Sequence, residues 1–181
     1  RQYTNHVRFV QQEAARHGKS LMLWGDMLLK HPETLAQLPP GCEILDWAYF
    51  PSNNFEKCGA FTARGLPTAV CPSVRGFGMV FNAVEEARGV LATYARTGKT
   101  FGARGLLNTD WGDYGHFNMP PCALHGLALG AQLAWNPAND EGAAFDRAFS
   151  TVIFGAEDAR PAELFSRAGS VPPAVAAWPF A

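Results

Sequence analysis

The chain has 181 residues, a formal net charge of -1 and a hydrophobic share of 48%, which fit one folded domain with a real core and exclude disorder as its main state. The near-zero charge and the scattered Lys and Arg residues would not attract nucleic acid or an anionic membrane, and no apolar run reaches the roughly 20 residues that cross a bilayer. We therefore expect a small neutral ligand, with no nucleic-acid or membrane partner.

Apolar periodicity and glycine or proline breaks predict alternating helices and strands. The predicted order is helix 3–17, strand 19–24, a loop with a short helix 26–37, strand 42–47, helix 55–64, strand 67–71, helix 82–96, strand 103–109, helix 121–135, and helical segments 145–154 and 161–167. Gly18, Gly65 and Gly98 are predicted to end three of the helices, because glycine is the usual residue just past a helix.

This alternation predicts an α/β fold with parallel strands and right-handed crossovers. Four βα units after a leading helix would supply half of a TIM (β/α)8 barrel, which needs eight strands. We assign 1–155 to this half-barrel and 156–181 to a C-terminal helix and loose tail. A doubly wound sheet stays open as an alternative, although no glycine-rich phosphate motif follows a strand.

Two Trp-Gly-Asp motifs stand just past predicted strands, at 24–26 and 111–113. In either architecture these positions line the functional face. Indoles stack on the C–H faces of sugars, and carboxylates accept hydrogen bonds from sugar hydroxyls, so the motifs predict a carbohydrate site. The predicted substrate-binding residues are Trp24, Asp26, Trp47, Tyr49, Asp110, Trp111, Asp113 and His116.

The order of these motifs resembles the second half of the catalytic barrel of family 20 glycoside hydrolases, the β-N-acetylhexosaminidases. The segment 23–27 is similar to the end of the family's fifth strand, 46–49 to the end of its sixth, and 109–113 to the end of its eighth. The resemblance implies a pocket for a terminal N-acetylhexosamine, with Trp24, Trp47 and Trp111 as walls and Asp113 binding sugar hydroxyls.

In that family the general acid belongs to an Asp-Glu pair after the fourth strand, which would precede Arg1. The resemblance therefore implies no catalytic residue in this chain, no cofactor and no metal, and it implies a partner, the remaining half of the barrel from the same or a second chain. The family's seventh strand ends in an Asp and a Tyr that orient the acetamido group, whereas 70–75 here reads Val-Cys-Pro-Ser-Val-Arg. Catalysis in such enzymes is substrate-assisted and retaining.

Two other functions remain open at this point. One is a non-catalytic carbohydrate-binding domain or degenerate barrel that keeps the tryptophans without the acid. The other is a metal-dependent hydrolase using Asp110, Asp113 and His116. Structural roles are also open, because Asp26 is a suitable helix cap, Asp110 is able to bond a neighbouring backbone group or arginine, and His116 is able to pin its loop.

A few other residues carry expectations of their own. The four cysteines lack zinc-ligand spacing, disulfides stay open, and Cys71 is expected to be a small buried hydrophobe. Arg75 is either a solvated loop residue or a ligand for an anionic substrate group. We expect Trp135 to be a packing residue and His125 to lie on a helix surface or at a cap.

Overall fold

A computed structural model describes residues 2–116, 118–139 and 141–171 of the chain, and within them four parallel strands form one sheet in the order β1-β2-β3-β4. The strands are β1 (Met22–Trp24), β2 (Glu43–Trp47), β3 (Thr68–Cys71) and β4 (Gly105–Leu106). The α-helices in the same ranges are α1 (Gln2–Arg16), α2 (Asp26–Lys30), α3 (Gly59–Thr62), α4 (Val84–Thr100), α5 (Asp113–His116), α6 (Leu124–Trp135), α7 (Gly142–Phe154) and α8 (Arg160–Gly169). Shorter 3-10 helices cover Pro32–Gln37, Phe55–Cys58 and Pro120–Ala123.

All strand neighbours pair in parallel, so their carboxyl ends meet at one edge of the sheet. Trp24 pairs with Leu45, and Trp47 pairs with Cys71 two residues further along β2. A single bridge between Ser73 and Thr109 continues the last pairing beyond the regular strands. The predicted α/β fold with parallel βα units is thus confirmed.

The core lies between the sheet and the helices packed on it, and among those helices. All four residues of β3 are buried, which is typical of a parallel strand covered on both faces. Helix α4 turns one face inward over most of its length and packs with α6, α7 and α8 in the largest apolar cluster. A second cluster around Leu28, Ile44 and Phe61 packs the first two βα units against each other.

The helix predicted over 82–96 does not end at Gly98. Helix α4 continues to Thr100, and Gly98 is buried inside it against Val70 of β3. A Cβ atom at Gly98 would lie 2.8 Å from Cγ1 of Val70, so this glycine permits close packing of helix on strand. The predicted strand 103–109 is also shorter than expected, because only Gly105–Leu106 pairs regularly with β3.

Two further side chains differ from their predictions. Trp135, expected to be a packing residue, is 92% exposed at the end of α6. His125, expected on a surface, is 1% exposed and its Nε2 lies 2.8 Å from a carboxylate oxygen of Asp146. The histidine is buried because α7 supplies both this polar partner and the rings of Phe145 and Phe149 that pack on the imidazole.

The cysteines and the C-terminal segment also carried predictions from the sequence. All four cysteines are free and buried, and burial raises the pKa of Cys71 to about 12, as for an inert thiol. Helix α8 occupies part of the predicted C-terminal helix, whereas most of the predicted loose tail falls at 172–181, outside the described residues.

Over the part of the chain that the structure describes, no helix has the length and apolar character that a membrane span requires.

Candidate functional site

A cavity of about 280 Å³ opens at the carboxyl ends of the strands. This volume is close to the lower end of the range for small-molecule sites, which suits a ligand about the size of one sugar ring. Six of the eight residues predicted to bind substrate line it, together with one residue that was not predicted. The lining residues are Trp24, Asp26, Trp47, Tyr49, Phe77, Trp111 and Asp113.

The indoles of Trp24 and Trp111 are in contact at this cavity. Trp24 ends β1 and Trp111 follows β4, the two outer strands of the sheet. Three strand spacings would separate these strands by about 14 Å in a flat sheet. The ring centroids are nevertheless 5.6 Å apart, with 52° between the ring planes, so the two side chains close one side of the cavity.

Tyr49 joins the remaining aromatic walls. Its ring stacks on Trp47 with 5.0 Å between centroids, and its phenol oxygen accepts a 2.8 Å hydrogen bond from Nε1 of Trp111. The backbone N–H of Tyr49 donates to the side-chain oxygen of Asn53, which fixes the turn after β2. Burial raises the pKa of Tyr49 to about 12, so the phenol stays neutral at physiological pH.

The two carboxylates of the cavity occupy equivalent places in the chain. Asp26 is the first residue of α2, and Asp113 is the first residue of α5. Asp26 is not the helix cap that its residue type suggested, because Gly25 occupies the cap position without a side-chain hydrogen bond. Both carboxylates therefore face the cavity as hydrogen-bond acceptors.

The glycine of each Trp-Gly-Asp motif lies against a neighbouring side chain. A Cβ atom at Gly25 would lie 2.8 Å from the buried ring of Phe61, and one at Gly112 would lie 2.1 Å from Nδ1 of His116. Both distances are shorter than van der Waals contact allows. At Gly25 the neighbouring Phe61 ring is fully buried and only glycine fits, whereas the exposed side chain of His116 is able to move away from Gly112.

Asp110 and His116 do not line the cavity, although the sequence grouped them with its residues. The ring of His116 covers Gly112, and its backbone has a positive φ of 57°. Burial raises the pKa of Asp110, and the charge of His116 partly opposes that shift. Their placement fits the role of holding the loop after β4, the structural alternative noted for His116.

A metal site is not apparent in the described ranges. Across 2–116, 118–139 and 141–171, no group of three or more His, Cys, Asp or Glu side chains is arranged to hold an ion. Only Asp113 of the three proposed ligands lines the cavity.

Below the cavity, Asp46 anchors the end of β2. Its side chain is 1% exposed, with one oxygen 2.6 Å from the hydroxyl of Tyr94, which donates, and the other 3.2 Å from Nζ of Lys57. Lys57 also donates to the carbonyl of Trp47 and lies 5.1 Å from the centroid of its indole. Burial raises the pKa of Asp46, whereas the contacts with Tyr94 and Lys57 favour the ionised form. This network supports the strand end that carries Trp47.

Phe77 is the cavity residue that sequence reasoning missed. It lies in the loop after β3, between two glycines, and an aromatic residue in such a loop is the signal that would have found it. Arg75 beside it is neither solvated nor free for an anion. Its side chain is 15% exposed, with Nε 2.7 Å from a carboxylate oxygen of Glu86.

The sequence matches no family model, and no curated protein matches it significantly.

Proposed function

We propose that the chain forms the sugar-holding part of a glycoside hydrolase that removes terminal N-acetylhexosamine residues by substrate-assisted retaining catalysis. The observation that carries the proposal is the cavity at the strand ends, where Trp24, Trp47 and Trp111 stand with two carboxylates. In this proposal the four strands are the C-terminal half of a (β/α)8 barrel, completed by strands from the same or a second chain.

The cavity residues divide into two kinds of contact that a pyranose needs. The indoles and the phenol present flat apolar surface to the C–H faces of the ring. Asp26 and Asp113 accept hydrogen bonds from hydroxyls, and the two differ in position, so they read different hydroxyls of one ring. Holding the sugar ring in one orientation positions the reacting atoms and so lowers the activation barrier of the hydrolysis.

In the proposed reaction, the acetamido oxygen of the substrate attacks its own anomeric carbon as the glycosidic C–O bond breaks. The leaving oxygen takes its proton from a carboxylic acid outside this chain, and water later opens the cyclic intermediate with retention of configuration. We assign Asp26 and Asp113 to hydroxyl binding rather than to proton transfer. In this proposal the chain supplies the carboxylates that position the sugar and the aromatic walls of its pocket.

A second candidate is a carbohydrate-binding domain without catalysis. It is favoured by the lining of the cavity, which combines aromatic rings with two carboxylates, the two kinds of group that hold a sugar. Such a domain would bind the sugar without hydrolysing its glycosidic bond.

One experiment separates the two. Hydrolysis of a chromogenic N-acetyl-β-glucosaminide by the full-length protein is measured beside Trp111→Ala and Asp113→Asn, with the exposed Trp135→Ala as a control. We expect each cavity variant to lower kcat/KM by roughly tenfold or more, equivalent to about 1.4 kcal/mol of transition-state binding. Binding of N-acetylglucosamine without turnover would favour the second candidate, and neither binding nor turnover would reject both.

A further inference from the structure

Arg75, in the loop after β3, contacts the wall of the cavity without lining the cavity itself. We infer that it is a positioning residue, which fixes the ring of Phe77 in the wall and so raises the affinity of the site for its sugar. The inference rests on the proposed function and adds to it a residue that acts on the ligand only through another side chain.

The guanidinium group of Arg75 lies over two phenyl rings. Its central carbon is 4.4 Å from the centroid of Phe77 and 4.7 Å from that of Phe50. The two rings meet edge to face, with 5.9 Å between their centroids and 86° between their planes. Because Phe50 follows β2 and Phe77 follows β3, the arginine joins the loops of two neighbouring strands. A planar guanidinium suits this place, since it attracts the faces of aromatic rings.

Arg75 is itself anchored to a helix of the core. Its Nε donates to a carboxylate oxygen of Glu86 at 2.7 Å, and Glu86 belongs to the first turn of α4. The arginine side chain is only 15% exposed, so water and salt screen this ion pair less than a surface pair. A further hydrogen bond of 3.4 Å runs from the guanidinium to the carbonyl of Phe77. Arg75 thus ties both the ring and the backbone of Phe77 to α4.

The backbone of Arg75 indicates that its side chain has a role of its own. Its φ is 61°, a conformation that favours glycine. The loop keeps this conformation because the N–H of Arg75 donates to Oγ of Ser73 and the N–H of Ala83 donates to the carbonyl of Arg75. Glycine would adopt it more easily but would leave Phe77 without the cation. Backbone strain at this position is therefore offset by the contacts of the side chain.

The position of Phe77 matters because its ring belongs to a connected wall. Its centroid lies 5.7 Å from that of Tyr49, whose phenol oxygen accepts the hydrogen bond from Trp111. A displaced Phe77 would leave this wall open on one side. A ring that is already fixed in the unbound protein loses little conformational entropy when the ligand arrives. Arg75 is therefore expected to strengthen binding without contacting the sugar.

Two variants loosen the ring in different ways. Arg75→Gly removes the guanidinium and lets the backbone keep its positive φ without strain. Glu86→Gln keeps the guanidinium and removes the charge that anchors it. The matched control is Arg104→Ala, because Arg104 also faces a carboxylate, that of Glu43 at 3.5 Å, and does not line the cavity.

The first measurement follows the ring of Phe77 in the full-length protein without ligand. Fluorine NMR is recorded on protein whose phenylalanines carry a para-fluoro label, and Phe77→Leu identifies the signal of Phe77. In Arg75→Gly this signal should move toward the value of the free labelled amino acid, and in Arg104→Ala it should stay in place. A signal that stays in place in Arg75→Gly would overturn the inference. If Arg75→Gly does not fold, the same reading of Glu86→Gln decides.

The second measurement is a titration of the same proteins, without the label, with N-acetylglucosamine, followed by tryptophan fluorescence. We expect Arg75→Gly to weaken binding roughly three- to tenfold, because the ring must then be ordered by the ligand. Glu86→Gln should weaken it by a smaller factor, since the arginine remains. Arg104→Ala should leave the affinity unchanged. Unchanged affinity in Arg75→Gly would also overturn the inference.

A double-mutant cycle separates positioning from a general effect on the fold. If Arg75 acts on the sugar through Phe77, adding Arg75→Gly to Phe77→Leu should cost little affinity beyond that of Phe77→Leu alone. An equal loss in both backgrounds would identify a merely structural arginine and overturn the inference while the proposed function stands. Failure of the unmodified protein to bind the sugar would instead reject the proposed function and the effect on affinity with it, whereas the fluorine signal would still show whether Arg75 holds the ring.

Discussion

The indole nitrogen of Trp111 donates a 2.8 Å hydrogen bond to the phenol oxygen of Tyr49, a residue 62 positions earlier in the chain. This bond joins the loop after β4 to the loop after β2 across the mouth of the cavity. Because the ring of Tyr49 also stacks on Trp47, one contact orients three aromatic walls. The shape of the cavity therefore depends on an interaction between loops.

Substituting Tyr49→Phe keeps the aromatic surface and removes the hydrogen-bond acceptor of Trp111. We expect the affinity for N-acetylglucosamine to fall roughly two- to tenfold, because the indole N–H loses its partner and its orientation relaxes. The measurement is a titration followed by tryptophan fluorescence, with Trp135→Phe outside the cavity as the control. Unchanged affinity in Tyr49→Phe would show that the bond does not orient the site.

Asp46→Asn tests the network below Trp47. The amide still accepts the hydrogen bond from Tyr94, but Lys57 loses its charged partner. We expect the free energy of unfolding to fall by about 2–4 kcal/mol, since one member of a buried ion pair is left without its counter-charge. Urea unfolding measures the change.

The control for this prediction is the Asp46→Asn, Lys57→Met double variant. If the two side chains act as a pair, the double variant should be destabilised by less than the sum of the single variants. Strictly additive losses would indicate that the pair does not interact.

The Arg88–His125–Asp146 group predicts a dependence of stability on pH. Burial would raise the pKa of Asp146, but hydrogen bonds from His125 and Arg88 outweigh it and hold this pKa below its ordinary value. The folded pKa thus lies below the unfolded one, which is about 3.9. The stabilisation from this carboxylate is complete above the unfolded value and is lost as the pH falls through the folded pKa.

Asp146→Asn is the variant that checks this. At neutral pH we expect it to lower the free energy of unfolding by about 2 kcal/mol, as charge-assisted hydrogen bonds are lost. Urea unfolding over a series of pH values should show a smaller loss of stability below about pH 4 in the variant than in the unmodified protein. Parallel profiles for the two proteins would contradict the assignment.

Two glycines of α4 should respond in opposite directions to the same substitution. A Cβ atom at Gly89 meets nothing within 4 Å, so Gly89→Ala should raise the free energy of unfolding by about 0.5–1 kcal/mol through helix propensity. A Cβ atom at Gly98 would press on Val70, so Gly98→Ala should lower the free energy by about 1–3 kcal/mol. Thermal or urea unfolding of the pair decides whether α4 packs as described, and stabilisation by both changes would contradict it.

The parallel sheet could be predicted from the sequence because its signals are local. Apolar runs bounded by glycine and proline identify the strands, and helices between them require parallel pairing. Since parallel strands bring their carboxyl ends to one edge, Trp24, Trp47 and Trp111 could be expected near one another before any coordinates were known. The cavity that they line agrees with that reasoning.

Other features depend on contacts between distant segments and had no local signal. The close approach of Val70 makes Gly98 an interior residue of α4 instead of its end, and α7 buries His125 by supplying Asp146. Asp110 and His116 follow the same strand as Trp111, yet the direction of the loop takes them away from the cavity.

The order of the βα units, and the edge of the sheet where aromatic and acidic residues gather, follow from the amino-acid sequence, because periodicity and strand polarity depend on neighbouring residues. Which of those side chains line the cavity depends on the packing of the loops, and this packing also brings in Phe77, held there by Arg75 and Glu86. Side-chain direction in a loop is set by contacts with partners far away in the chain, which local sequence does not encode.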